Sequence, residues 1–372
     1  MRIGILTLHS NTNFGGGLQQ IAMFEILKGL GHEPRFLCVK DNSRISAQKR
    51  LIGILTSYST RQIMDSIKEA IHRAIRKSTE ITPNTLLYEK TDKFNYKTLN
   101  YTPKFPLEQL PKYSDECDAL IFGSDQIWTD VYSPVLPYFG GGMPSFKGKK
   151  IAYAACSAHN KVPLYNRQKI KGLLQDFDAI SVRDETTRQL VNSIIGMSPK
   201  IVCDPTLLYD FKKFYKQSPI KVEYIFAYVL GDKAAEWHQI NINKIKEVTG
   251  ISQVVALTTS LDDNFPWADI VITDALAIDW MNLLRESAFV YTNSFHAVIF
   301  SLKFHKQFVA YYGDLVRSSR MISLREQFNL KNRIVKDPQN IEYNKEIDFN
   351  NTDVLIASIA KQSSEFLKNI LD

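Results

Sequence analysis

The sequence lacks the marks of several protein classes. Its four cysteines, Cys38, Cys117, Cys156 and Cys203, are far apart and show no metal-ligand spacing, so we expect buried, reduced thiols. No apolar run approaches the roughly 20 residues of a membrane span. Residues 1–6 lead directly into a strand, without the apolar segment of a secretory signal. These absences predict a soluble, cytoplasmic protein.

A strong excess of one charge is also missing. The 46 lysines and arginines against 39 aspartates and glutamates leave a net charge of +7. A balance of this size fits an anionic small substrate or an acidic membrane surface as well as nucleic acid, so charge alone selects none of them. The length of 372 residues exceeds one ordinary hydrophobic core, which predicts two domains.

The most informative stretch lies at 289–304. An apolar run at 289–292 predicts a buried strand, Asn293 and Ser294 offer a helix N-cap, and an apolar helix follows from Phe295. A strand that turns directly into a helix presents free backbone N–H groups, which suit an anion. His296 adds a group that carries a proton near neutral pH. The alternative is an ordinary turn with a capping serine and a packed histidine.

A second unusual stretch is rich in glycine. A predicted strand at 3–8 is followed by Gly15, Gly16 and Gly17 and then by helical apolar spacing at 18–30. The glycines predict either a tight turn or a loop whose backbone approaches a ligand. The pattern is neither the dinucleotide-binding fingerprint nor the phosphate-binding lysine motif, so it gives no support for NAD or ATP.

Three successive apolar strands, predicted at 118–122, 151–156 and 179–182, each end in polar side chains. Because the carboxyl ends of parallel strands meet at one edge of a sheet, we expect these side chains to lie close together. They are Ser124, Asp125 and Gln126 after the first strand, His159 after the second and Arg183 after the third.

The alternation of strands and helices predicts an α/β protein with two Rossmann-like domains that face each other across a cleft, as in the GT-B architecture. We predict an N-terminal domain at 1–205, a C-terminal domain at 206–350, and a C-terminal helix at 351–372 that crosses back. A helical or irregular insertion is predicted at 43–104. Its basic, amphipathic part at 44–77 either rests on an anionic membrane or is a solvated insertion that covers the sheet.

A family resemblance emerges when the short motifs are taken together. In chain order they are the glycine-rich segment 13–20, GSDQIW at 123–128, YAA at 153–155, SVRDE at 181–185, DPTLL at 204–208 and TNSFH at 292–296. In this order and spacing they resemble the polysaccharide pyruvyl transferase family over essentially the whole chain. Two positions depart from the family's usual pattern, Ala297 in place of a glycine and Cys156 in place of a serine.

The resemblance implies transfer of a pyruvyl group from phosphoenolpyruvate to two hydroxyls of a sugar. The product is a pyruvate ketal and phosphate is released. The acceptor would be a cell-surface polysaccharide or its lipid-linked precursor. No cofactor, metal or nucleic acid is implied as a partner. The segment 44–77 lies outside the recognisable motifs, so both alternatives for it, peripheral membrane contact and a solvated insertion, stay open.

The resemblance also implies roles for the candidate residues. Arg183 would bind the donor from the N-terminal half. His296, with Asn293 and Ser294, would hold it in a donor site in the C-terminal domain, and we hypothesise that His296 acts as the acid or stabilises the leaving group. Asp125 or His159 would take the proton of the acceptor. Gly15, Gly16, Ser124 and Gln126 are predicted to bind substrate, and Arg317 and Arg320 to bind the phosphate.

Two other functions stay open. A nucleotide-sugar glycosyltransferase shares the GT-B architecture, and Asp269, Asp274 and Asp279 could serve its ribose, although they form no recognisable arrangement. A non-catalytic glycan-binding relative is the second alternative, and Ala297 gives it weight.

Overall fold

The structure, a computed structural model, describes residues 1–9, 13–40, 84–129, 131, 136–231, 233–313, 318–336, 338, 343 and 346–372. The backbone forms two compact units. The first contains the described residues of Met1–Leu8, Gly31–Thr82 and Asn100–Ile201, and the second those of His9–Leu30, Pro83–Leu99 and Val202–Asp372. The predicted domain limits follow the chain continuously and stay a prediction.

The first unit is built on a six-stranded parallel sheet in the order β2-β1-β3-β4-β5-β6. Its strands are β1 Arg2–Leu6, β2 Glu33–Phe36, β3 Ala119–Phe122, β4 Lys149–Ala155, β5 Ala179–Val182 and β6 Lys200–Ile201. The direction of the strand order reverses between β1 and β3, and such a switch point leaves a crevice at the carboxyl ends of the strands. The three strands with polar ends, β3, β4 and β5, are neighbours, as predicted.

The second unit is built on another six-stranded parallel sheet, in the order β12-β11-β10-β7-β8-β9. Its strands are β7 Tyr224–Tyr228, β8 Gln253–Leu257, β9 Ile270–Ile272, β10 Phe289–Thr292, β11 Gln307–Tyr311 and β12 Ile334–Val335. Counted from β7, the order is that of the Rossmann fold, with the switch point between β7 and β10.

Helices connect and cover the strands. They are α1 Phe14–Gly29, α2 Thr85–Thr98, α3 Leu110–Ser114, α4 Leu164–Gln175, α5 Glu185–Ile195, α6 Pro205–Leu208, α7 Glu236–Thr249, α8 Ala277–Glu286, α9 Phe295–Lys303, α10 Ser319–Gln327 and α11 Phe349–Leu371. Several begin at a side chain that accepts a hydrogen bond from a first-turn N–H, which satisfies donors that the helix leaves unpaired. These N-caps are Asn13, Asn84, Asp184, Asp204, Ser294 and Asp348.

Helix α1 differs from the prediction in where it begins. The glycines were expected in a connection ahead of a helix at 18–30, but the helix starts at Phe14 and its first turn contains them. The side chain of Asn13 accepts a hydrogen bond from Gly16 N at 2.9 Å and caps this turn. A Cβ at Gly17 would lie 3.2 Å from Cβ of Ala277, so close helix packing accounts for this glycine.

The predicted insertion and the predicted tail helix can each be compared with the structure. The predicted insertion at 43–104 contains α2 in its described part, and 44–77 lies outside the described residues. The predicted tail helix is present as α11, and its Ser363 Oγ accepts a hydrogen bond from Cys203 N at 2.9 Å within the second unit. Among the helices that the structure describes, none combines the length and the apolar character that spanning a bilayer requires.

Candidate active site

The first unit holds a cluster of Arg183, Asp125 and Ser124, which we call the arginine cluster. Arg183 directly follows β5, and its N–H donates to Ala155 O at 3.1 Å. Its Nη2 lies 3.2 Å from Oδ1 of Asp125 and its Nη1 lies 3.4 Å from Oγ of Ser124. The side chains of Arg183 and Asp125 are only 3% and 5% exposed. The cluster is therefore a buried ion pair, and removing one partner would leave the other charge uncompensated.

The backbone fixes the position of Asp125. Its φ of +74° lies in the left-handed region that few non-glycine residues adopt. Its carbonyl accepts hydrogen bonds from the N–H groups of Ile127 and Cys156, at 2.8 and 3.0 Å. Thr7 Oγ1 donates to Ser124 O at 2.8 Å and so joins the ends of β1 and β3 at the switch point. The arginine cluster thus lies at the sheet edge where this type of fold binds ligands.

A second buried network lies beside Arg183 in the chain. The thiol of Cys156 donates to Oδ2 of Asp184 at 2.8 Å. Oδ1 of Asp184 accepts from the N–H and the hydroxyl of Thr187, at 2.8 and 2.9 Å. Both carboxylate oxygens are engaged, so the backbone that follows Arg183 is held at the start of α5. The sequence prediction assigned no role to Cys156 or Asp184.

His159 and Gln126 lie on the loops that follow β4 and β3. Both residues are partly exposed, and His159 N–H donates to Oγ of Ser157 at 3.1 Å. The structure therefore brings Arg183, Asp125 and Ser124 into contact, as the strand-end argument predicted. The binding roles of His159 and Gln126 stay predictions.

The second unit holds a cluster of His296, Asp204 and Gly15, which we call the histidine cluster. His296 is the second residue of α9. The capping residue of this helix is Ser294, whose Oγ accepts from Ala297 N at 3.5 Å. The Nε2 of His296 lies 3.5 Å from Oδ2 of Asp204, with side chains 5% and 0% exposed. Within the described part of the chain, Nε2 forms no hydrogen bond.

Asp204 is the residue of this cluster that the sequence prediction missed. It caps α6, and its Oδ1 accepts from the N–H and the hydroxyl of Thr206, at 3.1 and 2.8 Å. These two bonds orient the carboxylate so that Oδ2 faces the imidazole. The Asp-Pro-Thr pattern indicates a helix start, but it carries no signal for a partner in a distant part of the chain.

Gly15 lies against the imidazole ring. A Cβ at this position would be 2.2 Å from both Cγ and Nδ1 of His296, a distance that no side chain tolerates. The glycine run of α1 and the TNSFH motif, which are far apart in sequence, therefore meet in one unit. The N–H of Gly16 donates to the capping side chain of Asn13, so the contact described for Gly16 lies within the start of α1.

Asn293 and Arg320 also belong to the second unit. The amide of Asn293 accepts from Leu230 N at 2.8 Å and donates to Leu230 O at 2.7 Å, which clamps the end of β10 to the segment after β7. The guanidinium of Arg320, on α10, lies 5.3 Å from the ring centre of Phe295, the neighbour of His296. Arg317 lies outside the described residues. The binding roles of these residues stay predictions.

The described residues contain no group of three or more histidine, cysteine, aspartate or glutamate side chains placed to hold a metal ion. Both clusters instead combine a cationic or protonatable side chain with a carboxylate. Such a set can bind an anion and move a proton.

Comparisons with known proteins identify a family and a fold. The family model described as "Polysaccharide pyruvyl transferase" matches residues 13–314. No curated protein matches the chain in sequence.

Among solved structures, a protein described as a UDP-N-acetylglucosamine 2-epimerase from Listeria monocytogenes aligns with a TM-score of 0.50 and 9% identity. The alignment covers 98% of this chain and 89% of that one. The Methanocaldococcus jannaschii UDP-GlcNAc 2-epimerase aligns with a TM-score of 0.49 and 9% identity, over 100% and 99% of the two chains. Identity this low shows the fold alone, and the predicted GT-B-like class with two Rossmann-like α/β units is confirmed.

Proposed function

Because the chain belongs to the polysaccharide pyruvyl transferase family, we propose that it transfers a pyruvyl group from phosphoenolpyruvate to two hydroxyls of a sugar. The sugar belongs to a cell-surface polysaccharide or to its lipid-linked precursor. The match over 13–314 carries this proposal, because that range contains every residue of both clusters. Cytoplasmic location, and membrane contact through 44–77, belong to the same proposal.

The arginine cluster supports an anionic donor. Phosphoenolpyruvate carries a carboxylate and a phosphate, and the planar guanidinium of Arg183 matches both groups geometrically. The ion pair with Asp125 holds this guanidinium in a fixed position before the substrate arrives. A fixed charge in a buried site stabilises a transition state without the cost of reorganisation.

The histidine cluster supports proton transfer next to an anion. His296 lies in the first turn of α9, where the helix dipole favours negative charge. A protonated imidazole there would supply a proton to the enol and stabilise the departing phosphate. The guanidinium of Arg320 lies over the ring of Phe295, which in turn contacts the ring of His296. Arg320 is therefore the described candidate for a further phosphate contact.

The reaction balances as follows. C3 of the enol gains a proton while the first sugar hydroxyl attacks C2 and loses its proton. The bond from C2 to the phosphate oxygen breaks, and the second hydroxyl closes the ketal and loses its proton in turn. One hydroxyl proton ends in the new methyl group and the other leaves with the phosphate.

Two observations support one of the two candidates for the base. Asp125 is engaged with Arg183, which favours a role in holding the guanidinium. His159 is partly exposed, on the loop after β4. We therefore assign acceptance of the acceptor proton to His159.

The test is phosphate release from phosphoenolpyruvate across a panel of sugar acceptors. Arg183→Lys keeps the charge beside Asp125 but loses the planar fork, and His296→Gln keeps the size but loses the exchangeable ring proton. Each should lower kcat/KM by about 10²–10⁴-fold, since each removes a transition-state contact.

Matched controls are available in each unit. Arg188→Lys alters an exposed arginine paired with Glu185, and His305→Gln alters an exposed histidine paired with Asp353. Both should keep the wild-type rate. Near-wild-type turnover in Arg183→Lys or His296→Gln would remove that residue from the mechanism.

The strand order of the second sheet keeps a nucleotide-sugar glycosyltransferase as the second candidate, because this order is common among nucleotide-binding folds. Thermal shift with phosphoenolpyruvate against UDP and GDP separates the two. Stabilisation by the nucleotides alone would favour the glycosyltransferase. Stabilisation by phosphoenolpyruvate, without phosphate release on any glycan, would favour the non-catalytic relative.

A further inference from the structure

We propose that Asp204 is a positioning residue for His296, whose Nε2 it faces at 3.5 Å, so that Nδ1 is the ring nitrogen that exchanges a proton with the substrate. The inference rests on the proposed function, because it specifies how His296 performs its part. Asp204 itself contacts the ring and not the reacting atoms, so it acts through the histidine.

The first step is that the carboxylate has one orientation. Oδ1 of Asp204 is held by the N–H and the hydroxyl of Thr206, and the side chain is fully buried. A buried carboxylate requires a compensating partner. Its second oxygen, Oδ2, has the Nε2 edge of His296 at 3.5 Å.

The second step is that the ring has little freedom to turn away. The backbone of Gly15 lies against Cγ and Nδ1, where a Cβ would approach to 2.2 Å. The ring of Phe295 packs edge-on, with centroids 5.2 Å apart. The charged groups described around the ring are Asp204, before α6, and Arg320 of α10, which lies beyond Phe295. Helix α1 contacts the ring of His296 through the backbone of Gly15.

The third step concerns the tautomer. A neutral imidazole carries its proton on one nitrogen, and the hydrogen bond of the other nitrogen decides which. A carboxylate oxygen accepts only, so Oδ2 favours a proton on Nε2 and leaves Nδ1 as the site of exchange. Such contacts are often long without substrate and tighten when it binds.

The substitution Asp204→Asn tests this proposal because it separates capping from positioning. Asparagine caps helices as well as aspartate does, so the bonds to Thr206 retain Oδ1. The amide NH₂ then faces Nε2 and donates to it, which reverses the preferred tautomer. We expect kcat to fall by about 10²–10⁴-fold with a smaller change in KM, as a wrong tautomer does in other histidine enzymes.

The direct measurement is the ¹⁵N spectrum of the histidine rings, with the His296 signals assigned against His296→Gln among the seven histidines. The wild type should show Nε2 protonated and Nδ1 bare, and Asp204→Asn the reverse. Asp348→Asn, at the exposed N-cap of α11, is the matched control and should leave both the spectrum and kcat unchanged. Thr206→Val, which removes one of the bonds to Oδ1, should give mixed tautomers and a smaller loss of kcat.

These measurements distinguish a failure of the proposed function from a failure of the positioning role. A wild type that releases no phosphate from phosphoenolpyruvate, while Asp204→Asn still inverts the tautomer, contradicts the proposed function and supports the positioning role. A wild type that is active, with Asp204→Asn within about twofold of it or with the same tautomer, overturns the positioning role and leaves the function intact.

Discussion

At the scale of single residues, we expect alanine substitutions at two glycines of the same helix to change stability in opposite directions. Helix propensity alone would make alanine better than glycine at both ends of α1, by about 1 kcal/mol. At Gly29 nothing lies within 4 Å of a new Cβ, so Gly29→Ala should raise the free energy of unfolding by up to that amount. At Gly15 the Cβ would meet the buried ring of His296, so Gly15→Ala should lower it by about 1–3 kcal/mol.

Urea unfolding of both variants, with phosphate release in parallel, measures the difference. Gly15→Ala should also lose activity, because the ring must move to admit the methyl group. Equal stability gains in the two variants would show that the ring does not rest on Gly15.

The residue contacts that the sequence predicted are those between neighbouring strand ends. Asp125 and Arg183 meet because β3, β4 and β5 are adjacent, and adjacency follows from chain order in a parallel sheet. The contact of Asp204 with His296 joins two distant helix starts, and local patterns do not specify such pairs. The amide of Asn293 binds the backbone of Leu230, another contact between distant parts of the chain that local patterns do not specify.

At the scale of elements, a serine of α11 helps to hold this helix against the rest of the second unit. Ser363 Oγ accepts from the buried N–H of Cys203, the residue before Asp204, and donates to Ile359 O. Ser363→Ala would leave that N–H unsatisfied, which costs about 1–3 kcal/mol. Because the affected backbone leads into the histidine cluster, we also expect a loss of kcat.

Ser364→Ala is the control for this prediction, since Ser364 is the adjacent and more exposed residue of the same helix. Denaturant midpoints and phosphate release should change only in Ser363→Ala. A pair of variants with the same midpoint would mean that the hydrogen bond from Cys203 N to Ser363 does not contribute to holding α11.

Helices were predicted well where their apolar spacing is strong. The apolar helix predicted from Phe295 corresponds to α9, which is rich in large, buried apolar side chains. Helix α1 begins earlier than predicted because glycine, a poor helix former, was interpreted as a turn. Packing against Ala277 and His296 overrides that preference, and only tertiary structure contains this information.

At the scale of the whole molecule, one buried lysine should make stability depend on pH. Burial lowers the pKa of Lys303 from 10.5 to about 8. Between these values the unfolded chain binds a proton that the folded chain does not, so this group makes stability rise with pH. Below pH 8 both states are charged and the folded protein bears the full desolvation cost. Lys303→Met should therefore be more stable than the wild type at pH 7.

That advantage should shrink by on the order of 2 kcal/mol between pH 8 and pH 10.5, after allowance for partial solvent screening. Thermal unfolding of the two proteins across this range measures it. Burial also raises the pKa of Cys117 to about 11 and of Cys203 to about 12, which lowers stability as pH rises above 9.0. Both proteins share these thiols, so the effect of Cys117 cancels in the comparison, and that of Cys203 cancels apart from its own charge interaction with Lys303. If the stability difference between Lys303→Met and the wild type did not change with pH, the assignment of the pH dependence to Lys303 would be contradicted. The same holds if the difference changed only as much as that between the exposed variant Lys361→Met and the wild type.

The chain does not pass through the two units one after the other. Helix α1 lies in sequence between β1 and β2 of the first sheet, yet it belongs to the second unit. A fragment that begins at Val202 would consequently carry His296 and Asp204 but not Gly15, and one that ends at Ile201 would carry a helix without its packing partners. Recombination between relatives at this boundary would therefore combine Gly15 from one parent with His296 from the other, so the contact between them would have to fit across two lineages.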